Sequence, residues 1–430
     1  MKLGRRALCA GLLASSGALA LGRIPYGGRL RIKLPWPIGG IDPHALDDAA
    51  AALLGPAIAD SLYALDSAGR PYPTLAATLP ERTPRGVRVT LRPHLLSARG
   101  AVLDARDVLF SLARAKKAGA LGLLSPFGSP EHERGDGLSV VFPNADPNEL
   151  ALALASPVTA LLPRGFSRLK PDGTGAFQAD PGRGTLLLQR NVKAARGPSF
   201  LASIDVARAR DLADALRSFE AGELDLGWLG AGYHRPRPGA VRFDAGLFGW
   251  VVLRTGREAG AWGAPGVVQR LLDAIAPSEL AHLGVHGMPA ASGTPGWGGA
   301  PGELLVFDDC PHLIEIARAL SALLHRPGHE IASVSRPRRE LEQRRASRQF
   351  ALMLDFVRRI GPPGRATALA LLTAADPALA RRPPRRGSLE PRQLTRTLPL
   401  GVVGELRIAG AHLPKLHGLA DFNLGSVWQS

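Results

Sequence analysis

A chain of 430 residues, 45% hydrophobic and 21% charged, is long enough for two or three domains with sizeable cores. That balance excludes a disordered or fibrous chain. The formal charge of +16 comes from 53 basic against 37 acidic residues, but the basic residues are mostly scattered arginines without interleaved aromatic residues to stack bases, so nucleic acid binding is not expected.

The elements follow in chain order. Lys2, Arg5 and Arg6 precede an apolar run over residues 7–19, and Ala18-Leu19-Ala20 offers a small-residue cleavage site. Residues 1–20 therefore read as a secretory signal, and the run is too short for a membrane span. Residues 30–34 alternate as a strand, and Trp36 to Gly40 form the loop after it. Residues 45–65 read as a helix that Gly55-Pro56 breaks or kinks. Asp66, Gly69, Pro71 and Pro73 mark a turn, and residues 87–92 alternate as a half-buried strand. Asp104 with Asp107 three positions on is a helix-start signal, followed by Val108, Leu109, Leu112 and Ala115 on one face. Gly173 to Phe177 make a tight turn, residues 185–191 a strand, and residues 212–219 a helix with Gly222 placed to end it. Further strands are expected at 248–253, 304–307 and 350–354. Helices are expected at 266–280 and 313–324, and an exposed basic return segment at 383–397.

No catalytic constellation stands out. His282 and His286 have the spacing of two zinc ligands but sit in H-L-G-V-H, without the adjacent glutamate of H-E-x-x-H. No G-x-S-x-G elbow occurs. Cys9 would leave with the signal, and Cys310 beside Asp308 and Asp309 is an apolar filler rather than an activated thiol. Neither an enzyme, a metal site nor a cofactor is expected.

Several stretches resemble one family. Residues 62–76 read L-Y-A-L-D-S-A-G-R-P-Y-P-T-L-A, residues 87–92 V-R-V-T-L-R, and residues 100–114 G-A-V-L-D-A-R-D-V-L-F-S-L-A-R. Further on come G-T-G-A-F at 173–177 and A-L-R-S-F-E-A-G-E-L-D at 215–225. The order resembles the family 5 extracellular solute-binding proteins, the peptide, dipeptide and nickel receptors of bacterial ABC importers. Ala176 stands where that family has proline.

The resemblance implies an α/β, two-lobed periplasmic binding protein fold of type II, with a subdomain inserted in the first lobe. Lobe I would comprise 21–46, 165–246 and 395–430, the insertion 47–164, and lobe II 247–394. It also implies a periplasmic monomer that captures a small-molecule or peptide ligand between its lobes and delivers it to an ABC permease, with no covalent chemistry of its own.

The ligand-reading part departs from the pattern. Peptide-binding members carry W-x-x-D-Y-P-D-P in the second lobe, where the Trp lines the cleft and the Asp receives the ligand's ammonium group. Here residues 356–363 fall in that place, so Phe356 would stand for the Trp and Arg359 for the Asp. Arg254 falls where the crossing strand of the family ends in Asn. Trp36 and Ile38 from the first lobe, and Trp250 from the crossing strand, complete the expected ligand-facing set. Two arginines suit a carboxylate or phosphate rather than an ammonium. An anionic ligand is therefore one alternative. A degenerate homologue that binds or scaffolds without transport is the other, and an aromatic content of 5% is low for a peptide cleft.

Overall fold

The first strand, Arg29–Leu34, turns Leu30, Ile32 and Leu34 inward and its basic residues outward, as period-two alternation requires. A computed structural model describes residues 26–228, 238–287, 298, 301–362, 364–381, 391–419 and 423–430. The expected signal at 1–20 and much of the basic segment 383–397 lie outside the described residues. No helix among the described residues is long and apolar enough to cross a membrane.

One sheet runs through the whole molecule. Its first-lobe part orders Leu226–Trp228, Arg29–Leu34, Ser203–Arg208, Thr185–Arg190 and Phe177–Pro181. Its second-lobe part orders Leu352–Arg358, Gly302–Phe307 and Ile331–Arg336. Two long antiparallel strands, Val241–Thr255 and Leu400–His412, join the parts. The Leu400–His412 strand pairs with Leu226–Trp228 at its far end. The Val241–Thr255 strand pairs with Leu352–Arg358 from Gly249 onward. Between these regions the ladder is irregular, with register shifts at Asp244/Leu247 and Leu247/Gly249, and a third shift follows at Val251/Val252. The lobes are thus linked by paired strands whose irregularities lie at the crossing, a place where backbone can bend without losing a whole ladder.

The inserted region has its own antiparallel sheet of Glu81–Thr83, Gly86–Thr90, Ser139–Phe142 and Glu131–His132. The helix Ala105–Ala115 begins as the sequence predicts. Asp104 accepts from the N–H groups of Arg106 and Asp107, while Asp107 accepts from the Asp104 N–H at 2.9 Å. This reciprocal cap satisfies otherwise orphaned donors at the helix start.

Three expected boundaries move. The helix expected over 45–65 occupies only Ala49–Ile58, and Pro56 lies inside it rather than ending it. Proline cannot donate to the carbonyl four residues back; that carbonyl, on Ala52, instead receives the Arg358 guanidinium at 3.5 Å. The helix expected over 266–280 shortens to Val267–Asp273, ahead of Pro277, which cannot continue it. The strand expected at 350–354 runs as Leu352–Arg358, with every residue buried.

Two large apolar cores bind the parts together. One runs from Leu30 and Trp36 across to Leu354 and Phe356. The other joins the insertion, through Leu112 and Leu154, to Trp250, Val357 and the helix Arg365–Ala375. The lobes and the insertion therefore meet through apolar contacts.

Candidate ligand-binding cleft

The seam between the lobes has a filled inner part. Trp36, in the loop after the first strand, is 1% exposed. Its indole N–H donates to Nδ1 of His312 at 3.2 Å, and Nε2 of His312 lies 2.6 Å from the carbonyl of Leu283. Since the indole can only donate, His312 is the neutral tautomer with its proton on Nε2. Burial lowers its pKa to about 4. The Trp36 ring centre is 5.4 Å from Phe248, which is 5.3 Å from Phe356. Such tilted aromatic contacts add to simple burial. Ile38 is buried in the same core. A void of about 20 Å³ remains beside Asp47, Phe307 and Arg338, enough for about one water. The free thiol of Cys310 borders this void, and burial pushes its pKa up to about 12.

The outer part of the seam opens into a cavity of about 470 Å³. Leu46, Asp47 and the turn around Lys116 to Leu121 form one wall. The opposite wall comes from the second lobe, through Glu342, Arg345, Arg348 and the end of the Arg365–Ala375 helix. Arg254, Thr255 and Pro399 close it at the ends of the two crossing strands.

Ion pairing organises this cavity. Asp355 is 1% exposed; its Oδ2 accepts from Nε of Arg254 at 2.9 Å and from Nη1 of Arg345 at 3.1 Å. Arg345 also pairs with Asp47 across the seam. Burial works against the charge on Arg345, but Asp47 and Asp355 outweigh it and raise its pKa. For Arg254, burial outweighs the single carboxylate it shares, and its pKa falls below the usual arginine value. Lys116 and Lys117 begin a kinked turn, Lys116–Ala120, in which Gly119 takes a non-helical φ of 140°. The Lys116 ammonium donates to the Gly128 carbonyl at 3.0 Å, and burial lowers its pKa.

The structure separates the expected ligand-facing residues. Only Arg254 lines the cavity. Trp36 and Phe356 are packed on each other's neighbours in the inner seam, Ile38 lies in the core, and Trp250 is 1% exposed in the core shared with the insertion. Arg359 is turned to backbone: its Nε donates to the Gly361 carbonyl at 2.9 Å and its Nη1 to the Leu247 carbonyl at 3.4 Å. Arg359 is thus held by backbone and does not line the cavity. The spacing W-x-x-D-Y is also met four residues earlier, by Leu352, Asp355 and Phe356. In that register an acid is present, but two arginines of this chain already hold it. Asp355, Arg345 and Lys116 went unread in the sequence, although this second register was a signal for Asp355.

Arg358 was also missed. It is 1% exposed and reaches from the second lobe to the end of the first-lobe segment that leads into the insertion. Its backbone N–H donates to the Leu46 carbonyl at 2.8 Å, and its Nη1 to the Pro43 carbonyl at 2.7 Å. Burial pushes its pKa down to about 10, partly offset by Asp48 and Asp42.

The histidines do not converge. His282 lies in the short turn Ala281–Leu283 and His286 in the strand Val285–His286. Among the described residues no three His, Cys, Asp or Glu side chains are grouped to hold a metal ion.

Paired crossing strands, two lobes and a cleft between them define the fold of a periplasmic binding protein. Solved structures agree. The chain is similar to the oligopeptide-binding protein AppA from Bacillus subtilis, solved with a nonapeptide, with 15% identity and a TM-score of 0.70 over 95% of this chain and 100% of that one. It is similar to the ABC transporter-associated periplasmic binding protein DppA from Helicobacter pylori, solved with the peptide STSA, with 15% identity and a TM-score of 0.70 over 94% of this chain and 98% of that one. The PBP AgaA from A. tumefacien R10, solved with agropinic acid, matches with 14% identity and a TM-score of 0.68 over 94% of this chain and 99% of that one. No family model matches the sequence, and no curated protein matches it.

Proposed function

We propose that this chain is the ligand-capturing receptor of an ABC importer. It works in the periplasm as a monomer and passes a small ligand, held between its lobes, to a membrane permease. The observation that carries this reading is the roughly 470 Å³ cavity between two lobes joined by the strands Val241–Thr255 and Leu400–His412. The volume lies in the usual range of small-ligand sites. Ligand that touches both walls binds the closed form better than the open one, and that difference drives closure. The receptor needs no catalytic group for this role, and the energy of transport comes from the partner ATPase. The test is a thermal-shift screen of the purified protein with peptides, sugars, metal ions and small organic acids. A receptor is stabilised by at least one class, since a ligand of the folded state raises apparent stability.

A second reading is favoured by the filled inner seam. Trp36, Phe248, Phe356 and His312 occupy space between the lobes, and Arg254 and Arg345 occupy the carboxylate of Asp355. A homologue that no longer carries cargo, and serves as a scaffold, fits that packing. It predicts that no class in the screen stabilises the protein.

A further inference from the structure

Five cationic and three acidic side chains line the outer cavity, and their pairing leaves a surplus on one wall. Arg254 and Arg345 are matched by Asp355 and Asp47. Arg348 lies 3.8 Å from Asp376, and Glu342 acts on Arg345. Lys116 and Lys117 have no carboxylate within ion-pairing distance among the described residues. Two backbone features hold cations at the cavity. Gly119, with a non-helical φ of 140°, kinks the chain just after Lys116 and Lys117. Arg348, which ends the helix Arg338–Ser347, takes a left-handed φ of 59°, a place where glycine or asparagine is usual. A non-glycine residue held there is an outlier of the kind that gathers at binding sites.

From this arrangement we infer that the cavity takes a small polycarboxylate, whether a free organic acid or an acidic dipeptide. The inference rests on the receptor reading above and names the class of its ligand. One carboxylate of the ligand meets Lys116 and Lys117 on the insertion side. Another meets Arg348 on the second-lobe side, so that the ligand bridges the two walls. A cationic ligand is disfavoured by the same geometry. The buried acid, Asp355, is screened from the cavity by Arg254 and Arg345, so an incoming ammonium group meets guanidinium groups first and is repelled.

The experiment measures binding by calorimetry and thermal shift with four probes: citrate, the dipeptide Asp-Glu, the dipeptide Ala-Ala and the dipeptide Lys-Lys. It uses the native protein and two variants, Lys117→Gln and Arg348→Gln. Citrate or Asp-Glu should bind, Lys-Lys should not, and affinity should fall as salt rises. Each variant should lose about tenfold or more in affinity for the anion, the usual effect of removing a charged hydrogen-bond partner. Citrate alone or Asp-Glu alone binding distinguishes a free acid from a peptide. Binding of Ala-Ala or Lys-Lys in preference, unchanged in both variants, overturns the polycarboxylate class while leaving a receptor in place. Absence of binding by every probe here and every class in the wider screen overturns both readings. Lys117→Arg provides the folding control: it keeps the charge and should retain most of the affinity.

Discussion

Arg358 shows how one side chain joins sequence-distant parts. Its guanidinium has no carboxylate in ion-pairing contact among the described residues, and its partners are the carbonyls of Pro43, Ala45 and Ala52. The Ala52 carbonyl is free to accept because Pro56 has no N–H to offer it. Replacing Arg358 by alanine leaves these buried oxygens unpaired, and should lower stability by about 2–4 kcal/mol in denaturant melts. An unchanged midpoint would show that water reaches them. Two buried histidines give a second prediction at this scale. His44 lies 2.8 Å from the Ala160 carbonyl through Nε2, and burial lowers its pKa from 6.5 to about 4, as it does for His312. Between those two values the unfolded chain binds protons that the folded chain excludes, so stability rises with pH. Their contribution is complete above 6.5 and is lost as pH falls toward 4, by at most about 3 kcal/mol for each histidine. Asp48, whose pKa burial raises to about 6, and Asp60 and Glu315, which burial also raises, work in the opposite sense, and their contributions are lost as pH rises. The histidine part is therefore read against His312→Gln: between pH 7 and pH 4.5 the urea midpoint of the native protein should fall further than that of the variant, and equal falls would contradict a buried neutral His312.

At the scale of elements, the kinked turn Lys116–Ala120 depends on Gly119. That residue has φ 140°, and a Cβ there would lie 2.6 Å from Cβ of Leu46. Gly119→Ala should therefore lower the melting temperature, at a cost of about 1–3 kcal/mol, and weaken any ligand that depends on Lys117. A wild-type melting point would mean that the turn relaxes freely. This turn also illustrates what could be read in advance. The Asp104–Asp107 cap and the alternating Leu30, Ile32 and Leu34 were legible because caps and alternation are local. The length of the Ala49–Ile58 helix was not, because the group that lets Pro56 remain inside it comes from Arg358, about three hundred residues away. The cavity was harder still. Asp47, Lys116, Arg254 and Arg345 lie on four separate segments, and only the fold brings them together. Arg254 was found through its place on the crossing strand. Arg359, expected from the motif register, binds backbone at the crossing.

For the whole molecule, closure of the two lobes on a ligand, as proposed, would bend the chain where the paired strands Val241–Thr255 and Leu400–His412 lose their regular register. Residues far from that crossing would then move most. Val192 follows the strand Thr185–Arg190 in the first lobe, and Glu330 precedes Ile331–Arg336 at the second-lobe edge of the sheet; both are exposed. Spin labels on Val192→Cys and Glu330→Cys measure the distance between the lobes directly, and Cys310, the free thiol among the described residues, is buried. A broad or two-peaked distance distribution is expected in the protein without ligand, narrowing to a single population when a stabilising ligand is added. A single distance that no ligand alters would contradict it.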